Sequence, residues 1–390
     1  MNESLLHDSR VTILPHPIRI DAVSGEPYDT ALFENLGILE RLRPHFLDSG
    51  TPTETIINDL PWMRPITEAH LKILGQHNIG SFILTMNRAR LRAHGDPILE
   101  VTPALQTLLD QTDVEEGLPV RFLHHLDHMI YLRLARGNPL RVPHQLSGLH
   151  ECEGAYMATY QLPAHHPMLS RAGRVRMLEL DPAKPTRVIE IVIIGSPVGK
   201  ADAMDDASQD FMMLIQDEDE PLSQVLERHT AYYNNPSVYS HPGMAPVNPH
   251  EVAMVQPVAK ELAKILLYLS LPDAERMPVL ERTDLERKLR KFGKLNAKRR
   301  ERLALVYDRT LIGPRAVTDI QAENGPMPVA TSRTVRPHWR RGHFRRIRHG
   351  EGFSDVRIGW IRPTLVGAAD LVNIAKFRPV HESPDTESSD

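Results

Sequence analysis

Residues 336–349, RPHWRRGHFRRIRH, hold six arginines, three histidines and no acid. Such a run is suited to two kinds of chemistry. The first is nucleic-acid binding. Guanidinium groups stay charged at every physiological pH and fork onto phosphate oxygens, and the interleaved Trp339 and Phe344 are flat surfaces of the kind on which bases stack. On this reading Arg336, His338, Trp339, Arg340, Arg341, His343, Phe344, Arg345, Arg346 and Arg348 are candidate nucleic-acid contacts. The second is metal-independent RNA cleavage, which needs a general base, a general acid and a cation; His338 and His343 among arginines supply those types. On one continuous strand, residues five apart point to opposite faces, so cleavage requires a bulge at Gly342. Binding requires no such geometry and is the more economical reading. A third, purely structural reading pairs the arginines with the protein's own acids.

Charge distribution favours a polyanion-facing end. The 390-residue chain is formally −4, yet nine arginines lie between Arg333 and Arg362 against only Glu351 and Asp355, so the remainder carries about −11. A second basic cluster falls on a helical stretch, 283–305, where Lys291, Lys294, Lys298 and Arg299 extend the same surface or form a solvated helix face.

Other chemistries find little support. His124, His125 and His128 in HHLDH have the i, i+4 spacing of helical metal ligands, but MIYLRL immediately after reads as a strand. No metal site and no cofactor are expected. Cys152, the single cysteine, excludes an internal disulfide and lies between two glutamates, which oppose a reactive thiolate. There is no GxSxG, and GSPVGK lacks the spacing of a phosphate loop. The first twenty residues contain no signal-peptide core, and the longest apolar runs are too short to span a bilayer. A soluble protein of the bacterial cytoplasm, with no membrane partner, is expected.

The elements that must position the arginine run form an α+β chain. A helical N-terminal part covers 1–115, with an extended VTIL piece, a TPTETIINDLP loop and helices near 31–46, 67–86 and 102–109. A central domain, 116–312, carries an antiparallel sheet built from 129–134, 154–162, 174–180, 187–194 and 211–215, with packed helices at 221–233, 250–272 and 283–305. Thr283 and Glu286 fit a capping box for the last of these. A linker, 313–333, leads to a small β-rich unit, 334–378, with HGEGFSD turning between two strands. An acidic tail, 379–390, is expected to be disordered.

One resemblance enters at the C-terminal end. Arg336, Pro337, His338, Arg340, Arg341, Gly342, His343 and Phe344, a turn with Gly352, then Trp360 and Pro363, resemble the signature of a type V-A anti-CRISPR inhibitor family. The resemblance is dense over about thirty residues and weaker upstream, and the first hundred residues find no counterpart. It implies an inhibitor carried by phages or other mobile elements, acting on a CRISPR effector nuclease. It further implies recognition of the effector's N-terminal segment as a nascent chain, followed by loss of the transcript, with RNA or the ribosome as a second partner. It does not imply a classical enzyme, and it leaves the oligomeric state open.

Overall fold

The computed structural model describes residues 8–24, 33–34, 36–48, 50–74, 79–144, 147–171, 173–197, 205–235, 255–291, 297–316 and 338–366. The expected acidic tail and nearly all of the linker lie outside these residues, as do Arg336 and Lys294.

Helices come first: α1 (Ser9–Thr12), α2 (His16–Ser24), α3 (Leu39–Leu47), α4 (Thr53–Asp59), α5 (Arg64–Leu74) and α6 (Ile79–Ala93). Then β1 (Ile98–Val101), α7 (Pro103–Asp110), β2 (Thr112–Val114), β3 (Ile130–Arg133), β4 (Arg141–His144) and β5 (Gly148–Leu162) follow. α8 (Arg174–Met177), β6 (Thr186–Pro197), β7 (Ala207–Ile215), α9 (Leu222–Tyr233) and α10 (Val255–Leu269) complete the middle of the chain. Last are β8 (Arg276–Leu280), α11 (Glu281–Arg290), α12 (Ala297–Ala304), β9 (Asp308–Ile312), β10 (His338–Arg340), β11 (Gly342–His349), β12 (Asp355–Ile361) and β13 (Thr364–Val366).

The class is α+β, and its centre is a mixed sheet ordered β7-β6-β5-β3-β1-β9-β8, with β4 added to β5. The expected antiparallel pairing holds from β3 to β7, but β1 runs parallel to both β3 and β9. Residues 152–160 of β5 are buried without a break. Because successive side chains face opposite sides of a strand, both faces there are covered. Gly154 sits at a bulge in β5, and a Cβ there would lie 2.2 Å from the Leu132 carbonyl oxygen; only glycine lets β3 approach so closely.

The boundary expected at residue 115 does not separate two cores. β1 is an interior strand of the sheet, and Ile18, Ala22 and Val23 of α2 join the main core. What stands apart is a smaller helical cluster around Phe33, Leu42, Phe46, Ile56, Phe82 and Met86. Local expectations fail at three places. The first two residues of VTIL belong to the short α1, which Asp8 caps by accepting from the Arg10 N–H, and Ile13 and Leu14 follow it in a turn. TETIIND is a full helix, α4, whose Ile56 and Ile57 enter the helical core. RVRMLEL is not a strand: its first four residues form α8, where Arg174 reaches Glu54 at 2.6 Å.

The basic stretch 283–305 appears as two helices, α11 and α12. α11 starts at Glu281, ahead of the expected capping box. Its first N–H groups are instead satisfied from another element: the Asp308 carboxylate of β9 accepts from the Arg282 and Thr283 amides and from the Thr283 hydroxyl. A tertiary cap has taken the role that a local one was expected to fill.

Candidate nucleic-acid interface

The arginine run is built on a short hairpin. β11 pairs antiparallel with β12, from His343↔Ile361 to His349↔Asp355, and its first residues pair parallel with β2, Gly342↔Thr112 to Phe344↔Val114. The preceding β10 pairs with β13 in a separate two-stranded sheet. The strand expected to break at Pro337 and Gly342 is interrupted at Arg341, one residue ahead of Gly342, where the chain passes from one sheet to the other, and Pro337 lies outside the described residues.

The base of the hairpin is fixed by aromatic packing. Phe344 is fully buried and stacks on Trp360 at 5.6 Å between centroids, and Trp360 meets Tyr268 of α10 edge-on at 5.5 Å. The Trp360 indole N–H donates to the Thr112 hydroxyl at 3.2 Å, which in turn donates to the Leu108 carbonyl at 2.8 Å, tying the hairpin to the end of α7. Gly342 donates its N–H to the Gln111 carbonyl at 2.9 Å. A Cβ at Gly342 would stand 2.5 Å from the Ile361 carbonyl oxygen and 2.6 Å from Pro363 Cδ. Gly342→Ala is therefore expected to force β11 away from its seat and destabilise this unit by about 1–3 kcal/mol. Faster protease cleavage within 341–361 is the measurement; cleavage at the wild-type rate would show that the seat tolerates a methyl.

Phe344 must be withdrawn from the candidate contacts, since its ring is occupied by the core. The hairpin tip supplies a different aromatic. Phe353 is 69% exposed and has φ +58°, a left-handed conformation that bulky residues rarely adopt. Trp339 is half-buried.

The arginines divide into two groups. Arg341 pairs with Asp113 at 2.7 Å, and Arg346 approaches Glu115 at 3.7 Å while its amide donates to the same carboxylate at 2.9 Å. These acids flank Val114 on β2, so the structural reading holds for this pair. The bonds are solvent-exposed, and each contributes little to stability. Arg340, Arg345 and Arg348 are exposed, and so is Arg357 of β12, which the sequence reading did not single out. Among the described residues none of these four has a carboxylate partner. The register sets Arg357 opposite Ile347.

Beside the hairpin lies a cavity of about 340 Å³, lined by Leu271, Asp273, Ile347, Arg357, Trp360 and Arg362 among others. The Arg362 guanidinium lies 5.7 Å from the Trp360 ring centroid and 3.5 Å from Asp273. An aromatic face and two guanidinium groups around one cavity suit a flat, anionic guest.

His343 is half-buried on β11, and the side chain of His338 lies outside the described part of β10. Because these histidines sit on strands of two different sheets, the single-strand bulge expected to unite them is not how the chain is built here. The basic helices have other seats. α11 is capped by β9, and its Arg282 and Arg287 pair with Glu286 and Asp284. α12 packs near α2. Lys291 and Lys298 are exposed and Arg299 is half-buried; no described contact places them on the hairpin surface. The HHLDH histidines lie in a non-helical segment, where the i, i+4 argument does not apply. Burial first, then Glu153, pushes the Cys152 thiol far up. No helix among the described residues is long and apolar enough to cross a membrane.

Comparison with known proteins identifies a family and a similar solved structure. A family model described as AcrVA2-like, anti-CRISPR type V subtype A2 family, matches residues 99–368. Among solved structures, one described as the crystal structure of AcrVA2 is similar at 13% identity and a TM-score of 0.47, covering 87% of this chain and 97% of its own. No curated protein matches.

Proposed function

The chain belongs to the AcrVA2-like family, the anti-CRISPR type V subtype A2 family, and from that premise we propose that it lowers expression of a CRISPR effector by reading both the effector's polypeptide and its message. The polypeptide segment is the effector's N-terminal part, met as a nascent chain. The message, or the ribosome carrying it, is met by the arginine hairpin. The process belongs in the bacterial cytoplasm, with the gene carried by a phage or another mobile element.

One observation carries the RNA half of this reading: Arg345 and Arg357 on one face of a short hairpin, Arg348 on its other face and Arg340 on the neighbouring β10 are exposed and, among the described residues, meet no acid. Exposed guanidinium groups on one small unit, without acidic partners, make a positive field that favours a polyanion. Phe353 at the tip and Trp360 at the cavity add aromatic surface of the kind that single-stranded RNA uses.

The test is a message assay in cells. A reporter carrying the effector's N-terminal coding segment is expected to lose transcript when this protein is co-expressed. A recoded message with the same codon count but a different peptide is expected to be spared. Equal loss of both would sink peptide recognition, and loss of neither would sink the whole reading. Purified protein with labelled RNA in EDTA separates the alternatives. Cleavage abolished by His338→Ala/His343→Ala would make it a metal-independent ribonuclease. Neither shift nor cleavage would leave a purely protein-binding inhibitor.

A further inference from the structure

The β4–β5 hairpin carries a second constellation, remote in sequence from the arginine run. His144, near the end of β4, and His150, on β5, share one face of the hairpin, because Val142 pairs with His150 and His144 with Gly148. Asp205, just ahead of β7, joins them. One donor atom from each of the three lies within 4.8 Å of the others, and His144 Nδ1 stands 3.6 Å from Asp205 Oδ1. The Ser147 hydroxyl sits among them, 2.6 Å from His144 Nδ1, 2.8 Å from His150 Nε2 and 2.9 Å from Asp205 Oδ1.

The tautomers fix where the lone pairs point. The Ser147 amide donates to His144 Nδ1 at 3.2 Å, so that nitrogen is an acceptor. His150 Nδ1 faces the Gly195 carbonyl at 3.1 Å; a carbonyl only accepts, so the ring donates there and its Nε2 lone pair faces the cluster. A ring N–H held by a backbone carbonyl behind a coordinating nitrogen is the usual support of a metal-bound histidine. Gly195 is shaped for this contact, since a Cβ there would lie 2.9 Å from His150 Cβ.

We propose that His144, His150 and Asp205 bind a divalent first-row transition metal of the zinc class, the ion displacing the Ser147 hydroxyl from among the three donors and a water taking the fourth position. The donor set decides the class. Two imidazole nitrogens and one carboxylate suit zinc, whereas calcium and magnesium take oxygens alone. The 3.6 Å separation of His144 Nδ1 from Asp205 Oδ1 is close to the edge of a tetrahedron with bonds of roughly 2.0–2.2 Å. His150 is buried, while the His144 and Asp205 side chains are 26% and 23% exposed, which leaves an entry path. A serine nucleophile fits less well. The carboxylate contacts the hydroxyl directly, and it is the Gly195 carbonyl that His150 Nδ1 faces. Bound metal would join the β4–β5 hairpin to the head of β7, next to Asp206, which pairs with Arg19 of α2.

The experiment is equilibrium dialysis of the chelator-treated full chain against Zn²⁺ with metal analysis, and titration with Co²⁺ followed by its visible d–d bands. Wild type is expected to hold one equivalent and to show the bands of a low-symmetry nitrogen–oxygen site. His144→Ala and Asp205→Asn, both at partly exposed positions, are each expected to weaken binding by about tenfold or more. His124→Ala/His128→Ala, in the other histidine-rich segment, is expected to bind as wild type does. The proposal is overturned if wild type holds no stoichiometric metal. It is equally overturned if both site variants bind normally, or if the His124/His128 variant loses the ion, which would mark adventitious binding.

Discussion

Arg19→Met is expected to destabilise the folded chain by about 3–5 kcal/mol, the range found when one partner of a buried ion pair is removed. Arg19 on α2 is 1% exposed and donates to Glu153 of β5 at 2.7 Å and to Asp206 at 2.6 Å. Glu153 also accepts from the Tyr131 hydroxyl at 2.7 Å, from the His16 amide and from the Ser196 hydroxyl. Burial alone would raise its carboxyl, but Arg19, Arg133 and His16 outweigh that and hold it well below the usual carboxylate range. Without Arg19 the Glu153 carboxylate stays dehydrated with its strongest counter-charge gone. Urea unfolding reads the loss. Arg19→Met/Glu153→Met should lose less than the sum of the single variants, since Glu153 is then no longer left as a buried charge without Arg19, while Asp206 loses its Arg19 partner in both the single Arg19 variant and the double one. A cost below about 1 kcal/mol for Arg19→Met would mean the network specifies geometry without stabilising it.

The same network carries a pH dependence of opposite sign to that of a typical carboxylate. Burial pushes Asp206 up to about 7, with Arg19 only partly opposing it. The folded chain therefore keeps a proton that the unfolded chain has released above about 4. Asp206 costs stability progressively as pH climbs from about 4 to 7, and Asp206→Asn is expected to flatten stability against pH across that window. A variant with an unchanged slope would place the proton on another group.

How much of this was legible in the sequence depended on whether the signal was local. The long strands β5 and β6, and helices α9 and α10, follow from continuous apolar runs and a proline at or near a helix start. Thr102 and Pro103 mark the start of α7, where the threonine hydroxyl accepts from the Leu105 amide. β1, β8 and β9 carry only four or five residues each, and their strand character comes from parallel or edge pairing with partners distant in the chain. The cap of α11 was misread for the same reason, because Asp308 lies beyond α12. At the arginine hairpin, residue type alone suggested charge and stacking. It could not separate Phe344, which the β11–β12 register sets against Trp360, from Phe353 at the exposed tip, nor Arg341 and Arg346, which find β2 acids, from the arginines that do not. His144, His150 and Asp205 show no recognisable spacing, since a hairpin turn and two intervening strands bring them together.

That division of the arginines yields the last expectation, and it separates an RNA surface from a structural one. Arg345→Ala/Arg348→Ala/Arg357→Ala removes three exposed guanidinium groups that no described carboxylate meets. If each contacts a phosphate of single-stranded RNA, the slope of log K against log salt should fall by about 2, at roughly 0.7 per contact. Affinity at low salt should drop by about tenfold or more. Folding should hardly change, since exposed side chains away from packing cost little to truncate. Arg341→Ala/Arg346→Ala is the matched control. Those two already spend part of their charge on Asp113 and Glu115, and removing them frees two acids near the surface. Their loss should weaken RNA binding by a smaller change in slope while loosening the hold of β11 on β2. Fluorescence anisotropy with one labelled message fragment at several salt concentrations measures both variants. An unchanged slope in the triple variant would remove the hairpin from RNA recognition. The four exposed arginines would then have to be explained by an acidic face of the effector polypeptide, a contact whose salt dependence would be read with protein in place of RNA.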